Sequence, residues 1–308
     1  MPLVLVSSPR FVDHVTPAGH PERPERAEIL EAVAARFREQ GGTVLAPRAA
    51  TDDDLARVHS RGHLASIAAA RGRATMFDPD TFTSPDSDDV ARLAAGAVLT
   101  AVDYVLDGPP GSRALAMVRP PGHHAEADKA MGFCLYNNIA VGAAHARARG
   151  LPRVAIVDYD VHHGNGTQWM FYEDPTVLYV SSHQYPFYPG TGAPGETGRG
   201  AGVGFTLNIP LAAGATDGTV ERAYAEMVLP RLREFEPRLL MISAGFDAHE
   251  QDPLGQLRMT TDGFARLTKA LLDVADEVCE GRVVLVSEGG YDLKALSDCL
   301  DAVIAACA

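Results

Sequence analysis

Six short aliphatic runs recur along this chain: Leu3 to Val6, Ala114 to Val118, Val154 to Val157, Val177 to Val180, Leu239 to Ile242 and Val283 to Val286. None alternates with polar residues, which predicts strands buried on both faces. Most are separated by stretches with apolar residues at helical spacing. Pro24 to Gln40 carries Ile29, Leu30, Val33 and Phe37, and Asp88 to Leu106, Ile139 to Arg149, Thr219 to Glu234 and Thr261 to Glu280 read likewise. Strands and helices in alternation imply a parallel sheet covered by helices on both faces. The stretch Met1 to Val6 reads as the first strand and lacks the basic region and cleavage site of a signal peptide. Tyr185 to Pro210, rich in Gly and Pro, breaks the rhythm and is expected to be a long ordered loop of the kind that usually carries function.

With 308 residues, 46% of them apolar, the chain can bury a large core. No Ser/Gly linker or charge block divides it, so a single domain over residues 1–308 is expected. No apolar run is long enough to cross a bilayer, and no membrane partner is expected. A net charge of −13 argues against binding nucleic-acid phosphates and is compatible with a cationic substrate such as a lysine-rich tail or a polyamine. Cys134, Cys279, Cys299 and Cys307 show no paired spacing and read as reduced, buried cysteines of a cytoplasmic protein. The oligomeric state is left open.

Chemistry concentrates after the aliphatic runs. Val154 to Val157 leads into Asp158-Tyr159-Asp160-Val161-His162-His163-Gly164-Asn165-Gly166, and Leu239 to Ile242 into Ser243-Ala244-Gly245-Phe246-Asp247-Ala248-His249. Ligands of open α/β sheets bind at the carboxyl ends of strands. A catalytic metal needs three protein ligands and an open position. Asp160 and His162, two apart in an extended segment, would face the same way, and Asp247 would complete the set from the next strand end. Two carboxylates nearly neutralise a dication, so such a site would want a proton acceptor and an oxyanion donor beside it. Pro120-Pro121-Gly122-His123-His124-Ala125 offers imidazoles for proton transfer, and Ser287-Glu288-Gly289-Gly290-Tyr291-Asp292 offers a phenol on a close-approaching loop.

These motifs, in this order and from about Gly19 to Leu296, resemble the histone deacetylase family, which includes acetylpolyamine amidohydrolases and acetoin-utilisation proteins. Asp158-Tyr159-Asp160-Val161-His162-His163-Gly164-Asn165-Gly166-Thr167-Gln168 is similar to the class II branch. The resemblance implies the arginase/deacetylase fold, a three-layer α/β/α domain with a mostly parallel eight-stranded sheet. It implies removal of acetyl or other acyl groups from N-acetyl-lysine-type amines by direct attack of metal-bound water. It assigns the metal to Asp160, His162 and Asp247, and the tandem active-site histidines to His123 and His124. Asp158 is then the partner of His123, and Asn165, where class I members carry Asp, the partner of His124. Tyr291 is the catalytic tyrosine. A nearby anion stabilises imidazolium, whereas a neutral amide does not. His123 is therefore expected to be protonated, and His124 neutral and the general base and then acid.

The resemblance further implies a substrate channel walled by Phe133 and Tyr188, with Gly132 near its bottom and Leu254 at its rim. Asp80 corresponds to a rim carboxylate that holds substrate backbone amides, and Arg26 to an arginine beneath the site. Polyamine-specific relatives carry an acidic gate where this chain has Leu254, which favours acyl-lysine peptides or proteins over a small N-acetyl amine. The metal is expected to be Zn2+, with Fe2+ or Co2+ compatible with the ligand set. K+ or Na+ is implied at two positions. One uses Asp158 and Ser181 side chains with carbonyls of Asp160, His162 and Ser182; the other uses carbonyls of Phe171, Asp174, Val177 and Phe205. His183 and His249, near the site motifs, read either as supports for the site residues or as structural. Competing readings are an acetylpolyamine deacetylase, a non-hydrolytic acetyl-lysine-binding module and an arginase-like two-metal hydrolase. The last would need carboxylates where this chain has His123 and His124.

Overall fold

The structure, a computed structural model, describes residues 3–307. In chain order the elements are β1 (Leu3–Val6), α1 (Glu25–Glu39), β2 (Thr43–Leu45), α2 (Asp52–Leu55), α3 (Arg61–Ala68), β3 (Thr75–Asp78), β4 (Thr81–Thr83), α4 (Ser87–Asp107), β5 (Arg113–Ala116) and α5 (Asn138–Ala148). They continue with β6 (Val154–Asp158), α6 (Asn165–Phe171), β7 (Val177–Gln184), β8 (Thr206–Leu211), α7 (Asp217–Ala223), α8 (Leu229–Phe235), β9 (Leu239–Ala244), α9 (Thr261–Val278), β10 (Val283–Ser287) and α10 (Leu293–Cys307). Eight strands form one sheet in the order β2-β1-β5-β10-β9-β6-β7-β8. Every pairing in it is parallel. The strands β3 and β4 form a separate antiparallel hairpin.

The sheet is buried on both faces, as its unbroken aliphatic strands require. Along β6, Ala155 and Val157 join one core with residues of α8, α9 and α10, while Val154 and Ile156 join the opposite core with α4 and α5. These are the two outer layers of an α/β/α arrangement, and they hold the strand ends rigidly for loops to build on. Cys134, Cys279, Cys299 and Cys307 are free and buried. Among the described residues no helix is long and apolar enough to cross a membrane.

Several boundaries differ from the sequence expectation. Met1 and Pro2 of the expected first strand lie outside the described residues. The expected loop from Tyr185 to Pro210 ends earlier, because Thr206 to Leu211 forms β8 at the edge of the sheet. Pro210 masked it; an edge strand tolerates a residue without an N–H. The expected helix from Thr219 to Glu234 is divided by a π-helical turn at Tyr224–Val228. Pro230 has no N–H for the carbonyl of Glu226, so the regular ladder cannot run through. The strand expected over Ala114 to Val118 starts at Arg113 and ends at Ala116.

Two predictions follow from the packing. Gly96 lies within α4, where an added Cβ would come within 1.7 Å of the Arg48 carbonyl oxygen. Helix propensity alone would favour Gly96→Ala by about 1 kcal/mol. The clash with backbone outweighs it, and urea denaturation should show a net loss of about 2 kcal/mol. The second concerns His14, His59 and His183. Burial holds them down at about 4, about 3 and about 4. His59 is fixed as a neutral tautomer, since Nε2 accepts from the Asn137 N–H at 2.9 Å while Nδ1 faces the Glu126 carbonyl at 3.0 Å. The unfolded chain therefore binds more protons than the folded one below pH 6.5. Their stabilisation is complete above that pH and is lost as pH falls toward 4, each contributing about 1.4 kcal/mol per pH unit. Urea midpoints measured from pH 7 to 4.5 should fall, and His59→Gln should make the decline shallower.

Candidate active site

The carboxyl ends of four adjacent strands, β5, β10, β9 and β6, converge at the centre of the sheet. Beyond β6 the chain makes a tight turn. The Asp160 N–H donates to Asp158 Oδ1 at 3.1 Å, and the His162 N–H to Asp160 Oδ1 at 2.9 Å. Asp160 and His162 thus face each other through side-chain-to-backbone bonds in a turn, not through the alternation of an extended strand. The Nδ1 atom of His162 lies 3.2 Å from Asp160 Oδ1 and 3.1 Å from Asp247 Oδ2. The candidate ligand atoms of Asp160, His162 and Asp247 all lie within 4.8 Å of one another.

The remaining carboxylate oxygens are held by backbone. Asp247 Oδ1 accepts the Val161 N–H and Asp160 Oδ2 the Gly289 N–H, each at 2.9 Å. Glycine is required around them. A Cβ at 245 would lie 2.0 Å from Asp160 Oδ2, and one at 289 would lie 2.1 Å from Asp247 Oδ2. The donor set fits a divalent cation. A single ring nitrogen has at most one proton to share between two converging carboxylates. Burial, and then the charge of Asp160, pushes Asp247 up to about 7. Burial opposes charge on His162, yet hydrogen bonds to Asp160 and Asp247 raise it to about 10. A dication would neutralise both acids and take the nitrogen lone pair, and Asp/His/Asp suits zinc, iron(II) or cobalt(II).

The tandem histidines follow β5 and are both buried, with ring centroids 4.0 Å apart. His123 Nδ1 lies 3.0 Å from Asp158 Oδ2, and His124 Nδ1 lies 2.8 Å from Asn165 Oδ1. The amide nitrogen of Asn165 donates to Glu126 Oε1 at 2.7 Å, so its oxygen faces His124. This assigns the proton of neutral His124 to Nδ1 and leaves Nε2 as a base. Burial disfavours charge on both rings. For His123 the anions Asp160 and Asp158 overcome it and raise the ring to about 10. For His124, burial and then the charges of His123 and His162 hold it well below the ordinary range. The expected asymmetry has a contributor the sequence reading lacked: Asp160 acts on His123 together with Asp158.

A narrow cavity of about 140 Å³ leads to this cluster, lined by Asp80, His124, Gly132, Phe133, His162, Tyr188, Leu254 and Tyr291. All five residues expected along the channel are among them. A Cβ at Gly132, where φ is +56°, would lie 2.5 Å from His124 Cδ2. Phe133 adopts φ +69°, uncommon for a non-glycine residue, and its ring meets Tyr291 edge-on at 5.7 Å. Tyr188 is edge-on to His124 at 5.2 Å. Asp80 sits on the turn between β3 and β4; burial and then Asp78 push its carboxyl up to about 6. Burial raises the Tyr291 phenol well above its ordinary value, which keeps it a hydrogen-bond donor.

Strand register brings together two of the cation candidates. Asp158 and Ser181 are direct partners on β6 and β7, and Ser181 Oγ lies 2.9 Å from His183 Nδ1. Ser182 Oγ lies 2.9 Å from the Tyr224 hydroxyl. The carbonyls of Phe171 and Asp174 accept from Asp174 and Val177 N–H groups on the approach to β7, and that of Phe205 accepts from Tyr179. His249 stacks on Phe264.

Apart from Arg26, which the resemblance placed beneath the site, several supporting residues carried no sequence signal of their own. Asp252 Oδ2 accepts the N–H groups of Tyr291 at 2.6 Å and Asp292 at 3.1 Å, which fixes the tyrosine loop. The Tyr179 hydroxyl donates to Asp158 Oδ2 at 3.1 Å. Arg26 is buried beneath Tyr291, its guanidinium 5.0 Å from the ring centroid, and donates to Gly290 O and Glu22 Oε1 at 2.7 and 3.0 Å. Arg119 donates to the same Glu22 oxygen at 2.6 Å. For Glu22 and Arg119 the only hint in the sequence was the spacing Glu22-x-x-x-Arg26, one helical turn.

Comparison with known proteins identifies the family. The histone deacetylase domain matches residues 20–307. Histone deacetylase 10, chloroplastic, of Oryza sativa subsp. japonica is 41% identical over 297 residues, covering 90% of this chain and 67% of that protein. Polyamine deacetylase HDAC10 of Homo sapiens is 41% identical over 299 residues, covering 90% of this chain and 43% of that protein. A solved structure described as the crystal structure of HDA15 HD domain superposes with a TM-score of 0.93 at 37% identity, covering 99% of this chain and 90% of the other. Motif order, sheet topology and whole-chain similarity converge on one conclusion: this chain belongs to the histone deacetylase family.

Proposed function

We propose that the chain is a zinc-dependent deacetylase, one catalytic domain that hydrolyses the amide of N-acyl-lysine in a peptide or protein. The observation that carries this reading is His124, its Nδ1 2.8 Å from Asn165 Oδ1, lining the same narrow cavity as His162 of the Asp160/His162/Asp247 triad. When bound by that triad, a divalent cation supplies Lewis acidity to a water and to the acyl carbonyl. The Nε2 lone pair of His124 accepts the proton of the attacking water while Asn165 holds the opposite nitrogen in its donor tautomer. The Tyr291 hydroxyl donates to the developing oxyanion, and the charge on His123 favours the same build-up of negative charge. His124 then passes the proton to the departing amine. The C–N bond breaks, a C–O bond forms, and the products are a carboxylic acid and a free amine. No acyl-enzyme is needed.

Phe133 and Tyr188 suit the aliphatic stem of lysine, and Asp80 suits backbone N–H groups at the mouth. The apolar side chain of Leu254 supports acyl-lysine over a substrate with a second amine at that position. The second reading, an acetylated polyamine, is favoured by the similarity to a human protein named as a polyamine deacetylase. K+ or Na+ beside Asp158 and Ser181 belongs to the same proposal, as does a cytoplasmic location.

A parallel kinetic screen of acyl-lysine peptides and acetylated polyamines, each with a chelator control, tests both readings. The peptides should give the higher kcat/KM, and chelation should abolish it. His124→Ala should lower kcat by about 10²- to 10⁴-fold with zinc content unchanged; loss of zinc would refute the role. Tyr291→Phe should lower kcat by about 10²- to 10³-fold with a smaller change in KM.

A further inference from the structure

One fully buried acid has no part in the chemistry above. Glu288 follows β10 immediately and is 0% exposed. Its Oε2 accepts the backbone N–H of Gly122 at 2.7 Å and of His123 at 3.2 Å, and its Oε1 accepts the Ser243 hydroxyl at 3.0 Å. Pro120 and Pro121 have no N–H to donate. Gly122 and His123 are therefore the first backbone donors after Arg119, and both point at one carboxylate oxygen. One residue earlier, Ser287 does similar work: its Oγ accepts the Val118 N–H at 2.7 Å and lies 3.1 Å from the Val118 carbonyl. Strand β10 lies between β5 and β9, so Glu288 ties the histidine loop on one side to Ser243 on the other.

The histidine pair is thus gripped from two directions. On the β6 side the rings meet Asp158 and Asn165, and the Thr167 N–H donates to the His123 carbonyl at 3.2 Å. On the β10 side the grip is the Glu288 carboxylate. The next residue, Gly289, donates its N–H to the ligand candidate Asp160. One short segment therefore sets both the histidine backbone and the triad that the histidines face.

We infer that Glu288 is a positioning residue for deacylation, holding the His123–His124 backbone at a fixed height over the ligand triad by hydrogen bonding. This rests on the reading of His124 as the base. Reach, and not charge, is what the role requires. A glutamine can present its oxygen to the two backbone N–H groups and its NH₂ to Ser243 Oγ, whose hydroxyl turns to accept. An aspartate keeps the charge but falls one methylene short of the amides.

The test is the pair Glu288→Gln and Glu288→Asp, both conservative, in zinc-loaded protein. With an acyl-lysine peptide, Glu288→Asp should lower kcat by about 10- to 100-fold, the scale of an ångström-level misplacement, with KM and zinc per chain within about twofold. Glu288→Gln should retain kcat within about threefold on the same argument. Crystal structures of the two variants give a readout independent of turnover. The His124 Nδ1 to Asn165 Oδ1 separation should lengthen past hydrogen-bonding distance in Glu288→Asp and stay near 2.8 Å in Glu288→Gln. The inference is overturned if Glu288→Asp keeps full kcat with unmoved rings. It is equally overturned if Glu288→Gln loses as much as Glu288→Asp, since charge would then be the operative property. Failure of the wild-type protein to cleave any acyl-lysine substrate would sink the functional reading alone, while the ring geometry in the two variants would still decide the positioning role.

Discussion

Two buried carboxylates aimed at one imidazole nitrogen are the constraint around which this molecule is organised. Asp160 and Asp247 come from loops 87 residues apart in sequence and meet because β6 and β9 are hydrogen-bonded neighbours. Unscreened in a buried site, they repel each other, and backbone N–H groups fix both: Val161 holds Asp247 Oδ1, and His162 and Gly289 hold the two oxygens of Asp160. The arrangement is costly without a cation and favourable with one. The glycines at 245 and 289 follow from it, since no side chain fits beside the converging oxygens.

The neighbouring histidines show how a single substitution of partner divides labour between like residues. Both rings are buried, and burial disfavours protonation of each. The anions Asp160 and Asp158 reverse this for His123, while the neutral amide at 165 cannot do so for His124. A charged ring next to a neutral one further depresses the second. Even if a bound dication cancelled the field of Asp160, Asp158 would remain as the local anion against His123. One ring is thereby suited to carrying charge and the other to exchanging a proton.

Much of the site was legible because its residues cluster in short motifs directly after aliphatic strands. Asp160, His162, His123, His124 and Tyr291 could all be marked that way. Glu288 and Asp252 could not be given roles, although the first stands inside a recognised motif. Both act on backbone N–H groups far away in sequence, and a carboxylate serving a distant amide has no local signature. The reason offered for the Asp160–His162 pairing was also incomplete, because a turn held by side-chain oxygens replaces the extended backbone. Strand β8 was hidden by Pro210, which an edge position accepts.

By itself the sequence determined the layered class of the fold and the chemical types at the strand ends, while the partners of the two histidines were legible only through the family resemblance. Aliphatic periodicity encodes where strands and helices form, and residue identity encodes ligand and proton chemistry. Tertiary structure decided that β5, β10, β9 and β6 stand side by side, and with that which loops share a site. Local pattern says that a strand is buried on both faces but not which strand lies beside it. That choice is made by the packing of the whole sheet between its two helical layers, and it brings two histidines, a phenol and three ligand candidates together at the foot of a single cavity.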